Sequence, residues 1–342
     1  MAIATCPACS ARIGPLDRSC AACGSTIVAP AIVTGVPDGA CPTCRAPASA
    51  IDADGFCSVC GTQRREREHI EVALSPTLAG VTDRGLRHGR NEDDLAARDL
   101  PARGSRVLVV CDGVSQSQAP DLASRAASTA ACASLAAALD GGEAGEVTEA
   151  NPDAALRAAV TRAQEAARAV PYSVYALEDA PATTLVAAIV QGRRATIGWV
   201  GDSRAYWIPA PADVPADIPA NADNGVRLLT RDHSWAAEVV AAGLMSDEQA
   251  TRAPQAHAIT RWLGADVADD PRADVATFEA PGAGAFLLCT DGLWGYLETP
   301  DHLATLTRDA WADAATMASA LVTFALRRGG RDNVTALVAI HE

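Results

Sequence analysis

Residues 286–295 read FLLCTDGLWG, and residues 107–115 read VLVVCDGVS. Each is an apolar, strand-like run that ends in an aspartate followed by glycine: Asp291 and Gly292 in the first, Asp112 and Gly113 in the second. An ionised carboxylate at the end of a buried strand is costly unless something pairs with it. Two such ends point to a shared cationic partner, and a metal ion is the leading candidate. The design recurs at VGDSRAY (200–206), where Asp202 follows Trp199, Val200 and Gly201. It recurs again at GGRDNVTALVAI (329–340), where Asp332 and Asn333 precede the last apolar run. RNEDDLAA (90–97) adds Glu92, Asp93 and Asp94. Any one of these is an ordinary turn acid; the whole set is hard to explain by turns. Hard oxygen ligands gathered in this way suit Mg or Mn and suit Zn poorly.

Around these sites the chain alternates between two kinds of segment. Strand-like apolar runs fall at 106–111, 184–190, 195–200, 204–208, 226–229, 285–289 and 334–340, and helical stretches at 119–139, 152–169, 234–243 and 310–327. Asn151, Pro152 and Asp153 form a helix start: a capping side chain, proline at the first position, an acid in the first turn. The Pro/Ala/Asp-rich run at 209–225 reads as an exposed loop between strands. Strands that follow one another without a helix between them argue for antiparallel sheets with helices packed outside.

Residues 1–63 are different. Eight of the eleven cysteines form four CxxC pairs: Cys6/Cys9, Cys20/Cys23, Cys41/Cys44 and Cys57/Cys60. Each half of the segment reads CPxC, a spacer, then CxxCG, so it is an internal duplication. A CxxC turn brings two thiolates to one metal, and two turns complete a tetrahedral site. The segment resembles a pair of zinc ribbons, each closed around one structural Zn that supplies the folding free energy a small core lacks. Arg64, Arg65 and Arg67, interleaved with Glu66 and Glu68, read as a solvated linker over 64–73. Cys111, Cys132 and Cys289 sit in apolar runs and read as small core residues.

Composition sets the outer limits. At 342 residues and 49% hydrophobic, the chain can build a large core beside a small module. All 28 basic residues are arginine, against 42 acidic ones, for a net charge of −14. That balance argues against nucleic acid, whose phosphates need clustered cations. No apolar run reaches the ~18–20 residues of a membrane helix, and the start of the chain lacks an export signal. The expectation is a cytoplasmic protein with no membrane and no nucleic-acid partner.

The order GLRHGRNED, VLVVCDGV, TTLVAAIV, VGDSRAYWI, LLTRDHSW, ITRWLG, FLLCTDGLWGYL, GGRDNVTALVAI resembles the metal-dependent protein serine/threonine phosphatases (type 2C, or PPM) of bacterial type. The resemblance spans residues 74–342. It implies an α+β fold, an αββα sandwich of two antiparallel sheets flanked by helices, preceded here by the two zinc ribbons. It implies phosphoserine/phosphothreonine hydrolysis in phosphorylated proteins, the substrates of a Ser/Thr kinase, by a water activated between two Mn or Mg ions. By the same match Asp112 bridges the metals, Gly113 offers its carbonyl, and Asp291 and Asp332 hold the second ion. Glu92 and Asp93 ligate or orient metal-bound water. Asp202 belongs to a third, weaker metal, and residues 235–254 form the variable flap.

There are three departures from the family pattern: DGVSQ at 112–116 replaces the usual DGxGG, Ala182-Thr183-Thr184 replaces GTT, and His88 stands where an arginine normally grips the substrate phosphate. An extended backbone at 85–90 would put Arg87 and His88 on opposite faces. The competing reading is a non-catalytic, phosphatase-like scaffold that binds phosphoproteins, with the ribbons as a docking module. Retention of Asp112, Asp291 and Asp332 favours the enzyme.

Overall fold

Along the strand Ser105–Asp112 successive side chains point to opposite faces. Val107, Val109 and Cys111 pack on one side with Ala127, Ala131 and Leu156. Leu108 and Val110 pack on the other with Trp207, Phe286 and Leu337. The strand is therefore apolar on both faces, and so must lie between two layers. Gly284–Cys289 behaves alike: Phe286 and Leu288 face the first sheet, while Leu287 and Cys289 face a helical layer that includes Leu321 and Val322.

The computed structural model describes residues 68–140, 151–174, 179–211, 225–267, 271–297 and 299–341, with short pieces at 4–5, 12–13, 32–33, 46–50 and 58–59. The eight cysteines of the CxxC pairs lie outside the described residues, as do Arg64, Arg65 and Arg67 and most of the 209–225 loop.

Among the described residues one sheet runs in the order Asp274–Glu279, Arg194–Val200, Leu185–Gln191, Ser105–Asp112, Asp93–Leu100. The other runs Arg227–Leu228, Arg204–Pro209, Gly284–Cys289, Val334–His341, Leu78–Asp83, His69–Ser75, Ile32–Val33. All neighbours are antiparallel. Helices Pro120–Asp140 and Pro152–Arg168 cover the first sheet, and His302–Arg308 and Ala314–Arg327 cover the second. The order is helix, sheet, sheet, helix. Between the sheets Trp207 and Phe286 lie 4.8 Å apart, ring to ring; burying a side chain of this size contributes about 2–3 kcal/mol.

Several local expectations hold. Asn151 caps Pro152–Arg168 by accepting from Asp153 N at 3.2 Å. Cys111, Cys132 and Cys289 are buried in the core. Others are corrected. The helix expected from 310 starts at Ala314, because Asp313 caps it by accepting from Thr316 N at 2.7 Å. Strand His69–Ser75 straddles the expected boundary at residue 74 and is bonded into the sheet, and Ile32–Val33 pairs with Val72 and Ala73. Against the expectation of no membrane-length apolar run, Pro120–Asp140 has 21 residues and enough hydropathy to span a bilayer by length and composition. Here Ala123, Ala127, Ala131 and Leu135, spaced one turn apart, are fully buried within the fold.

Candidate active site

In an antiparallel sheet the end of one strand lies beside the start of its neighbour. Asp93, the first residue of its strand, is paired with Asp112, the last residue of the next. Val200, just before Gly201 and Asp202, pairs with Leu185 at the same edge. In the second sheet Cys289 pairs with Ala336, so Asp291 and Asp332 project from adjoining strand ends. The two sheets bring these ends together. Asp112 feels the charges of Asp93, Asp291, Asp202 and Asp332.

Such crowding is unfavourable for anions. Desolvation, then the neighbouring carboxylates, hold Asp112 well above the ordinary carboxylate range. Desolvation raises Asp93 likewise, against hydrogen bonds from Thr335 and Thr290 that favour its anion. Asp202 is pushed up to about 8, first by burial and then by Asp291 and Asp232. Asp291 rises to about 6 through burial and Asp332, partly offset by a hydrogen bond with Asp112. Among the described residues no three His, Cys, Asp or Glu side chains form a ready coordination group.

The donor chemistry nevertheless fits hard divalent cations. Asp93 Oδ2 accepts from Thr290 Oγ1 at 2.8 Å and Thr335 Oγ1 at 2.7 Å. Its Oδ1 is buried with no hydrogen-bond partner. A buried carboxylate oxygen without a donor is rare and calls for a cation or a water.

A polar cradle, which the sequence reading missed, fixes these carboxylates. Asp112 O accepts from Thr183 Oγ1 at 2.9 Å and from Thr184 N at 2.7 Å, while Asp112 N donates to Thr184 Oγ1 at 3.2 Å. Asn333 ties three strand-end segments together. Its Oδ1 accepts from Glu92 N at 2.8 Å, and its Nδ2 donates to Arg84 O and Arg90 O at 2.8 and 2.9 Å. Gly292 lies so close that a Cβ would stand 1.8 Å from Asn333 O. The available signal was that Thr183, Thr184 and Asn333 lie within the matched motifs TTLVAAIV and GGRDNVTALVAI.

Glu92 stands just ahead of the strand that Asp93 begins. Glu92 turns away from the aspartates: its Oε1 accepts from Arg90 Nε at 2.9 Å and its Oε2 from Ser115 Oγ at 2.6 Å. Ser115 belongs to the DGVSQ departure, so that loop is anchored by a side chain where glycine would offer none. Gly113 N donates to Glu92 O at 3.1 Å, and a Cβ there would meet Pro120 O at 2.6 Å. His88 reaches the set, with Nε2 3.1 Å from Asp332 Oδ1, while Arg87 is exposed. The expected extended backbone at 85–90 is instead a turn at 85–87, with Gly85 at φ 73°. The turn, not strand alternation, separates the two side chains. The flap region carries two short helices, Trp235–Ala241 and Asp247–Thr251, capped by Ser234 and Ser246. The exposed Leu244 and Met245 lie between them.

Residues 86–324 match the family described as protein phosphatase 2C. The serine/threonine protein phosphatase PstP of Mycobacterium tuberculosis is 30% identical over 268 residues, which is 78% of this chain and 45% of PstP. The serine/threonine phosphatase stp of Listeria welshimeri is 32% identical over 159 residues, 46% of this chain and 55% of the relative. The chain thus spans about half the length of the curated relatives it matches. The crystal structure of M. tuberculosis PstP superposes with a TM-score of 0.59 at 28% identity, covering 78% of this chain and 98% of that one. A second, of the PstP catalytic domain in complex with two manganese ions, gives 0.56 at 26% identity over 78% and 98%.

Proposed function

Because the chain belongs to the protein phosphatase 2C family, we propose that it hydrolyses phosphoserine and phosphothreonine in phosphorylated proteins with the help of Mn or Mg. The carrying observation is the convergence of Asp93, Asp112, Asp202, Asp291 and Asp332 from both sheets at one end of the sandwich, with Asp93 Oδ1 left without a donor. Asp112, Gly113, Asp291 and Asp332 would hold two cations, Asp202 a weaker third. Bound there, divalent cations supply an activated water and neutralise charge on the phosphoryl oxygens.

The chain's own residues prepare that site. Thr183 and Thr184 fix the Asp112 backbone, and Thr290 and Thr335 both bond one oxygen of Asp93, which leaves its second oxygen without a donor. His88 holds Asp332 and offers its imidazole to the substrate phosphate. Glu92, bonded to Arg90 and Ser115, braces the wall behind Asp93 and Gly113. Residues 1–63 are proposed to bind two structural Zn ions through Cys6, Cys9, Cys20, Cys23, Cys41, Cys44, Cys57 and Cys60 and to dock phosphoprotein partners.

Phosphate release from a phosphothreonine peptide tests the reading. The expected result is activity with Mn or Mg, none in EDTA, and a loss of orders of magnitude in Asp112→Ala and Asp332→Ala. Full activity in EDTA, or in Asp112→Ala, sinks it. A protein that binds the phosphopeptide without turnover would instead be the scaffold.

A further inference from the structure

The segment Thr230–His233 runs along the loop that carries Asp202 and bonds to it residue by residue. Ala205 N donates to Thr230 Oγ1 at 3.2 Å. Trp199 Nε1 donates to Arg231 O at 2.8 Å. Arg204 grips Asp232 with two bonds, at 2.9 and 2.7 Å. His233 reaches the residue next to Asp202 itself. Its backbone N donates to Gly201 O at 2.9 Å, and Gly201 N donates to its Nδ1 at 3.1 Å.

We propose that His233 is a positioning residue for the cation site: it holds Gly201 from both sides and so sets where Asp202 presents its carboxylate. This rests on the reading of Asp202 as a cation ligand. Gly201 has φ 106°, a conformation side chains other than glycine rarely adopt, and a Cβ there would stand 2.6 Å from Thr184. Glycine enters this region freely, so bonds from its surroundings, and not its own backbone preference, choose the conformation it keeps. Gly201 N–H can only donate, so Nδ1 is the bare nitrogen and Nε2 carries the hydrogen. Nε2 lies 3.1 Å from Asp274 Oδ2, on the edge strand of the first sheet, which accepts that hydrogen. Arg261 Nη1 lies 3.3 Å from Nε2 and 3.5 Å from Asp274 Oδ1; because both it and Nε2–H are donors, each turns its hydrogen to the Asp274 carboxylate. Trp199 stacks on the imidazole with centroids 6.2 Å apart and planes 16° apart, which fixes the ring. Asp274 sets the tautomer, the tautomer sets the bond to Gly201, and Gly201 sets Asp202.

The experiment is a calorimetric Mn titration of the full chain and its variants, with the exchange rate of the Gly201 amide as a second readout. Asp202→Ala should abolish a weak class of Mn sites. His233→Ala should weaken that class by about tenfold or more, the usual effect of losing a partner behind a metal ligand, and leave tighter sites unchanged. His233→Asn puts an acceptor where Nδ1 was and should restore Mn binding and Gly201 protection. His233→Gln, which keeps only the distal donor, should restore neither. Wild-type Mn binding in His233→Ala beside a defective Asp202→Ala overturns the positioning role. So does an equal loss in the Asn and Gln variants, the mark of a merely structural residue. A wild-type titration in Asp202→Ala overturns the ligand reading, and the inference with it.

Discussion

At residue 88 the difference between imidazole and guanidinium is functional. His88 is half-buried against Asp332, and Arg87 is turned out by the preceding turn. Imidazole offers fewer donors than a guanidinium fork and cannot grip a phosphate with two parallel bonds. His88→Arg should therefore lower KM for a phosphopeptide by about fivefold, the equivalent of roughly 1 kcal/mol of stronger charged hydrogen bonding, with little change in Mn dependence. Arg87→Ala should be nearly silent. Steady-state KM values for both, with His88→Ala, decide the matter. A large defect in Arg87→Ala beside a neutral His88→Ala would place the phosphate contact on Arg87.

Elements are joined at the site by backbone-directed side chains, and Asn333 shows what that demands. It accepts from Glu92 N and donates to two carbonyls, so it needs both halves of its amide. The near-isosteric Asn333→Asp keeps the acceptor but turns an oxygen toward Arg84 O and Arg90 O. Leaving buried carbonyls without donors, and adding a charge beside them, should cost about 2 kcal/mol or more. Urea denaturation should show that loss in Asn333→Asp, and it should be at least as large as in Asn333→Ala. If Asp behaves like wild type, the two carbonyl bonds do not hold the 84–92 segment to strand Val334–His341.

For the whole molecule, the aspartate cluster makes stability depend on pH and cations together. Asp93, Asp112, Asp202 and Asp291 all have folded pKa values above the ordinary ~3.9, Asp291 at about 6 and Asp202 at about 8. The cation-free fold thus binds more protons than the unfolded chain. Its stability falls as pH rises from about 4 to about 8. EDTA-treated protein should melt lower at pH 8.5 than at pH 5.5, and Mn should raise the melt most at the higher pH. A flat EDTA profile would contradict this. His69, raised by its hydrogen bond with Asp83, acts in the same direction, because its stabilisation is lost as pH rises through its folded value. His233 and His341, both lowered chiefly by burial, act in the opposite direction, so a His69→Gln background removes the histidine contribution that would mimic the cluster. The N-terminal segment proposed to hold Zn is tested apart from the cluster. Removing residues 1–63 should abolish bound Zn, about two ions by elemental analysis of the full chain, and leave Mn-dependent hydrolysis intact. It also removes Ile32–Val33 from the edge strand His69–Ser75, so the shortened protein should self-associate more readily in light scattering. An inactive but folded truncation would show that the module serves the chemistry.

How much was legible in the sequence depended on how local each signal was. Apolar runs such as 107–111 and 285–289 announced strands buried on both faces, Asn151-Pro152-Asp153 announced a helix start, and aspartates at strand ends announced an acidic site. Each is a property of a few adjacent residues. Strands Leu78–Asp83, Asp93–Leu100 and Asp274–Glu279 went unread. Gly80, which leaves room for Leu337 across the sheet, and the charges of DDLAARDL mask the local pattern. The side to which Glu92 turns and the hold of His233 on Gly201 depend on partners 23 and 32 residues away in the chain, and the turn that parts Arg87 from His88 is tied by Leu86 N to Gly330 O. Sequence by itself determined the residue types, the period of the strands and the acidic character of the site. Tertiary structure decided which carboxylates meet and which turn away, because burial and hydrogen-bond satisfaction are set by neighbours that only the folded sheets bring together.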